Sequence, residues 1–114
     1  FNEYKTITQK FKNISPQDAV FLINNNAFIL DVRESSELDQ GIIKNSKHIN
    51  FSSVQTSLDS IKKFSDKPTI VYCKSGARSA TISNMLSKNS FLEVYSMKGG
   101  FEAWISDNLP VVKK

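Results

Sequence analysis

Apolar positions along this chain fall in short blocks that switch between two periods. Ala27, Phe28, Ile29 and Leu30 form one unbroken run, and Thr69, Ile70, Val71 and Tyr72 form a second strand pattern of the same kind. A strand without polar alternation is buried on both faces, as in a parallel sheet. Elsewhere the spacing is helical. Ser15, Pro16 and Asp18 open a helix with a capping hydroxyl, a proline in the first turn and an acid beside it. Ala19, Val20, Leu22 and Ile23 are its buried face, and Asn24, Asn25 and Asn26 end it. Residues 54–64 predict an amphipathic helix with Leu58, Ile61 and Phe64 inward. Residues 79–88 predict another, with Ile82, Met85 and Leu86 on one face. Phe101, Trp104 and Ile105 share a helical face after a sharp turn at Lys98, Gly99 and Gly100. Residues 34–40 read as a short helix stopped by Gly41.

Further strands are expected at residues 11–14, 47–50 and 91–95. Residues 1–10 read as an extension that packs as a short strand, ahead of one domain over residues 11–114. Strands alternating with helices at this spacing imply an α/β fold, a parallel sheet with helices on both faces. In such sheets, sites form at the carboxyl ends of strands. Asp31 closes one buried strand and Cys73 follows the other, so both belong at the same sheet edge.

Composition narrows this picture. A chain of 114 residues with 39% hydrophobic content builds one core without staples. One cysteine excludes an internal disulfide, and no cysteine–histidine cluster exists to hold a metal, so no metal or cofactor is expected. His48, the single histidine, has no second histidine or adjacent cysteine and is read as structural or exposed. The net charge of +4 comes from scattered lysines and arginines, which suits small anions rather than nucleic acid. No apolar run approaches the ~20 residues that span a bilayer, so no membrane partner is expected. The expected setting is cytoplasmic, or exported with a signal removed, because the chain opens on Phe1. Arg33 and Glu37 stand four apart and are read as a surface pair worth ~0.5 kcal/mol or less.

The candidate chemistry is the stretch after the second strand. Cys73 is followed by Lys74, Ser75, Gly76, Ala77 and Arg78, and a helix is expected from Ser79, with Ser79 as its cap. Loop N–H groups and the positive end of the helix dipole then converge on one point, an anion cradle with the Cys73 sulfur exposed at its floor. The helix end, the loop donors and the charges of Lys74 and Arg78 favour a thiolate, the reactive form of cysteine. Gly76 lets the backbone curl, Arg78 offers a planar fork to an oxyanion, and Ser75 is placed to donate into the cradle.

Cysteine phosphatases place five residues between cysteine and arginine, whereas this chain has four, a tighter cradle with less room for phosphate. The chain resembles the rhodanese domain over residues 11–112. The likeness rests on Asp31-Val-Arg33 with Glu34 and Glu37, and on Gly41-Ile-Ile43 leading to Ile49. It rests further on Tyr72-Cys-Lys-Ser-Gly-Ala-Arg-Ser79, on Lys98-Gly-Gly-Phe-Glu-Ala-Trp104, and on Leu109-Pro-Val111. The chain departs from that pattern at Ile42, at Asn45 and Ser46, and at Asn50. The resemblance implies a five-stranded parallel sheet and a sulfurtransferase. Cys73 would take a sulfane sulfur from a donor such as thiosulfate, a persulfide or a polysulfide, and pass it to a thiol or to cyanide. By that match the backbone of Lys74, Ser75, Gly76, Ala77, Arg78 and Ser79 is the cradle, and Lys74 and Arg78 orient a small anionic donor. Asp31 and Arg33 match positions that brace the loop and sheet. The protein is expected to act as a monomer. Two other readings stand beside this one: a relay or interaction module of the same fold, and, further off, a phosphatase or arsenate reductase.

Overall fold

A computed structural model describes residues 11–114. The short strand expected within residues 1–10 lies outside the described residues. The five strands are β1 (Lys12–Ile14), β2 (Phe28–Asp31), β3 (Lys47–His48), β4 (Thr69–Tyr72) and β5 (Val94–Met97). They form one sheet in the order β1-β5-β4-β2-β3, and every neighbouring pair is parallel. The expected α/β architecture, a five-stranded parallel sheet with helices on both faces, is present.

Alternate side chains of the two central strands feed two separate cores. Phe28, Leu30, Val71 and Cys73 face one way, with Ile61, Ile82, Leu86 and Phe91 packed on them. Ile29, Ile70 and Tyr72 face the other way, against Ala19, Phe101 and Trp104. Because both faces are covered, β2 and β4 are apolar almost throughout. The helices are α1 (Pro16–Ile23), α2 (Leu58–Ile61), α3 (Ala77–Ser87) and α4 (Gly100–Ser106). Ser15 caps α1, its hydroxyl accepting the Asp18 N–H at 3.1 Å.

Several local expectations are corrected. The helix expected at residues 54–64 breaks into a 3-10 turn at Gln55–Ser57, one α-helical turn at Leu58–Ile61, and a 3-10 turn at Lys62–Phe64. The Thr56 hydroxyl donates to the Ser53 carbonyl and the Ser60 hydroxyl to the Ser57 carbonyl, so short polar side chains compete with the helical ladder. Residues 34–40 also tighten, into a 3-10 helix at Ser35–Gln40. The fifth strand starts at Val94 rather than at residue 91. Phe91 instead fills the core beside Leu86, while Leu92 is 78% exposed. Ile105 lies on the outer face of α4, with Phe101 and Trp104 buried. The third strand covers only Lys47–His48. Among the described residues, no helix is long and apolar enough to cross a membrane.

Candidate active site

β4 delivers Cys73 to the carboxyl edge of the sheet, and Asp31 ends β2 in register with Tyr72. The two positions share one edge, as the parallel order requires. After Cys73 the chain turns at Gly76, whose φ of +115° strains any residue with a Cβ, and enters α3 at Ala77. The helix therefore starts two residues before Ser79. Ser79 is not its cap; it lies inside the first turn.

That early start aims the loop. The Gly76 N–H donates to Cys73 Sγ at 3.0 Å, and the Ser79 N–H donates to the same sulfur at 3.3 Å. Two amides and the positive end of an 11-residue helix converge on one atom. The sulfur is not exposed as expected. Cys73 is 1% exposed, because its side chain points into the core on the α2–α3 side of the sheet. The exposed residues of the loop are Lys74, Ser75 and Ala77.

Contacts from distant segments hold the loop in this shape. The N-terminal amides of α4 take its carbonyls: Phe101 N–H donates to the Cys73 oxygen at 2.8 Å and Glu102 N–H to the Lys74 oxygen at 3.0 Å. With those carbonyls turned toward α4, the loop amides are free to face inward. The approach is so close that a Cβ on Gly100 would lie 2.6 Å from the Cys73 and Lys74 oxygens. The Ser79 hydroxyl donates to the Gly76 carbonyl at 3.0 Å, and so accepts from Ser96 Oγ at 2.8 Å, tying the loop to β5 inside the protein.

Arg78 does not point freely to solvent. Its Nη1 lies 3.1 Å from Glu37 Oε1 and its Nη2 donates to Glu37 Oε2 at 3.2 Å, a two-point pair. Glu34 Oε2 stands 3.9 Å from Nη1. Glu37 is itself fixed, since its Oε1 accepts the Glu34 N–H at 2.7 Å. The hydrogen bond from Arg78 is the largest influence holding the Glu37 carboxyl below its ordinary value, against partial burial. The same bond raises Arg78, and the neighbouring Cys73 charge adds to it.

Glu37 was expected to pair with Arg33, and this is corrected. Arg33 is fully buried, and its Nη1 donates to the Glu37 backbone carbonyl, not to the carboxylate. Its side chain pairs with Asp31, Nη2 to Oδ2 at 2.7 Å and Nε to Oδ1 at 3.0 Å. Nη2 also donates to the Gly41 carbonyl at 2.9 Å, and the guanidinium lies 4.1 Å from the Phe101 ring centre. Burial alone would lower the Arg33 guanidinium, but the Asp31 hydrogen bonds and charge outweigh it and raise it. Asp31 and Arg33 thus fasten the end of β2 to the segment carrying Glu37. They touch neither Cys73 nor its loop in the contacts described above.

His48 Nε2 hydrogen-bonds the Arg33 carbonyl at 2.7 Å, which gives the one histidine a structural partner. Ser46, one of the departures, pairs with the Tyr72 hydroxyl at 3.1 Å, and that hydroxyl accepts the Ile43 N–H at 3.2 Å. Burial and the Asp31 charge push the Tyr72 phenol up. Ile42, another departure, forms a bridge to Val112.

Ser96 lies one residue past the strand expected at residues 91–95, so sequence reasoning misses it. Such reasoning also misses the partner of Arg78. The signal for the α4 contact is present in the pair Gly99 and Gly100, a sharp turn within the Lys98–Trp104 block that carries the family resemblance.

With this geometry in hand, the chain can be placed. A model of the rhodanese-like domain matches residues 15–107, and the chain belongs to that family. It is 37% identical over 95 residues to the thiosulfate sulfurtransferase GlpE of Ectopseudomonas mendocina, covering 83% of this chain and 85% of that one. It is 32% identical over 112 residues to the uncharacterized protein YibN of Escherichia coli K12, covering 96% of this chain and 78% of that one. Its fold superposes on a rhodanese-related protein from Thermoplasma volcanium with a TM-score of 0.83 at 33% identity, over 91% of this chain and all of the other.

Proposed function

We propose that the protein is a sulfurtransferase that works through a persulfide on Cys73. One observation carries the reading: the Gly76 and Ser79 amides converge on the Cys73 sulfur at the start of α3. N–H donors converging there stabilise negative charge in the cradle, on the attacking sulfur before transfer and on the outer sulfur of the persulfide after it. The similarity to a thiosulfate sulfurtransferase supports the same chemistry.

In the first half-reaction the Cys73 thiolate attacks the outer sulfur of the donor. With thiosulfate, the S–S bond breaks, sulfite leaves with the bonding pair, and Cys73 carries S–S⁻. In the second, an acceptor thiol attacks the outer sulfur of the persulfide. The acceptor leaves as a hydropersulfide, its proton retained, and the Cys73 thiolate returns. Cyanide performs the same step and leaves as thiocyanate. The Gly76 and Ser79 amides, which face the sulfur, stabilise the charge in both steps. Lys74 stands exposed at the rim, where it draws in an anionic donor.

The near-complete cover over Cys73 favours a donor that presents one terminal sulfur atom over a bulky tetrahedral ester. This and the four-residue spacing weigh against phosphatase or arsenate-reductase chemistry. The test is intact mass after exposure to thiosulfate, with and without cyanide. The wild type gains one sulfur, cyanide removes it, and Cys73→Ser gains none. A wild type that takes up no sulfur from any sulfane donor rules the reading out.

A further inference from the structure

The guanidinium of Arg78, at the end of the cradle loop, is already occupied. Both terminal nitrogens of Arg78 are engaged by Glu37, and Glu34 stands behind them. Such a pair contributes about 0–1 kcal/mol to stability at a surface. Its position bears more on what can enter. The contacts here place one cation, Arg78, against two carboxylates, Glu37 and Glu34. A dianion arriving at this rim must compete with Glu37 for the guanidinium fork.

We propose that Glu37 is a specificity-determining residue: by holding Arg78 in a two-point pair, it sets the site against dianionic sulfur donors. It favours donors that carry one negative charge, such as thiosulfonates and organic persulfides. The inference rests on the sulfurtransferase reading and narrows its donor class. Two donors isolate the charge. Thiosulfate and methanethiosulfonate present the same terminal sulfur on a tetrahedral sulfur centre, but the second has a methyl group in place of one anionic oxygen. With methanethiosulfonate, the Cys73 thiolate attacks the terminal sulfur, the S–S bond breaks, and methanesulfinate leaves with the pair. One negative charge then stays on the persulfide.

The wild type is expected to give a higher kcat/KM with methanethiosulfonate than with thiosulfate. Glu37→Gln removes the charge and keeps an oxygen able to accept the Glu34 N–H. It should shift the donor ratio toward thiosulfate by about tenfold, the scale of one partly solvated charge pair a few ångströms apart. Glu34→Gln, an exposed side chain farther from Arg78, should move the ratio the same way by less. Equal changes for both donors in both variants, or a wild type that prefers thiosulfate, would overturn the assignment while leaving sulfur transfer intact. Absence of sulfur uptake from either donor would instead remove the reading beneath it.

Discussion

The backbone oxygen of Cys73 accepts the N–H of Phe101 at 2.8 Å. The peptide group that leads into the loop is therefore held by the first turn of α4, a helix remote in sequence. α4 engages two carbonyls of that loop, and with them turned away the Gly76 and Ser79 amides face the sulfur. This relationship explains why Gly100 packs against the cysteine loop, and it makes that glycine the most sensitive backbone position near the site.

Gly100→Ala places a methyl group 2.6 Å from the Cys73 oxygen at a φ of +61°. The contact atoms are backbone, so the loop must move. The expected cost is about 1–3 kcal/mol of stability, and displacement of the sulfur should slow its uptake roughly a hundredfold. Thermal unfolding and the rate of Cys73 mass gain measure the two effects. Wild-type rates in the variant would show that α4 does not aim the loop.

The Ser79–Ser96 pair predicts an order of effects. Ser96→Ala removes one buried hydrogen bond, worth about 1 kcal/mol. Ser79→Ala strips a partner from both the Gly76 carbonyl and Ser96, and should cost about 1–3 kcal/mol. Denaturant midpoints should fall further for Ser79→Ala, and the reverse order would contradict the hydrogen-bond assignment.

Removing the Arg33 side chain leaves Asp31 charged and buried without its ion-pair partner. Arg33→Met should destabilise the fold by about 3–5 kcal/mol. Urea unfolding gives the value directly. Loss of the anchors on the Glu37 and Gly41 carbonyls should also loosen the segment that holds Arg78.

Glu37 predicts a small acid dependence. Its folded-state carboxyl lies below the ordinary value of 4.5, chiefly through the Arg78 hydrogen bond. Its contribution to stability is thus fully present above pH 4.5 and disappears as the pH falls through the folded-state value. At neutral pH the wild type should exceed Glu37→Gln by less than about 1 kcal/mol. The gap should close on acidification, as followed by paired melting curves. A gap that widened toward low pH would reverse the assigned sign.

Much of the protein was legible in its residues. The unbroken runs through Phe28–Asp31 and Thr69–Tyr72 announced strands covered on both faces. Ser15 and Pro16 announced the first helix, and one cysteine beside a glycine-bearing loop announced where chemistry would sit. These features are local: they depend on backbone propensity, on side-chain period and on a cap three residues away. The sequence also determined that Asp31 and Cys73 share an edge, because a parallel order leaves no other arrangement.

Tertiary structure decided the rest. Glu37 chose Arg78 over Arg33 because burial at the sheet edge committed Arg33 to Asp31. Val94–Met97 formed the fifth strand because β4 and β1 took those residues into register, while Phe91 was drawn to the core beside Leu86. The direction of the loop amides was set by carbonyls held from α4 and by a serine on β5. Each of these outcomes is a competition between partners far apart in the chain, and such a competition is resolved only when folding brings both candidates within reach of one group.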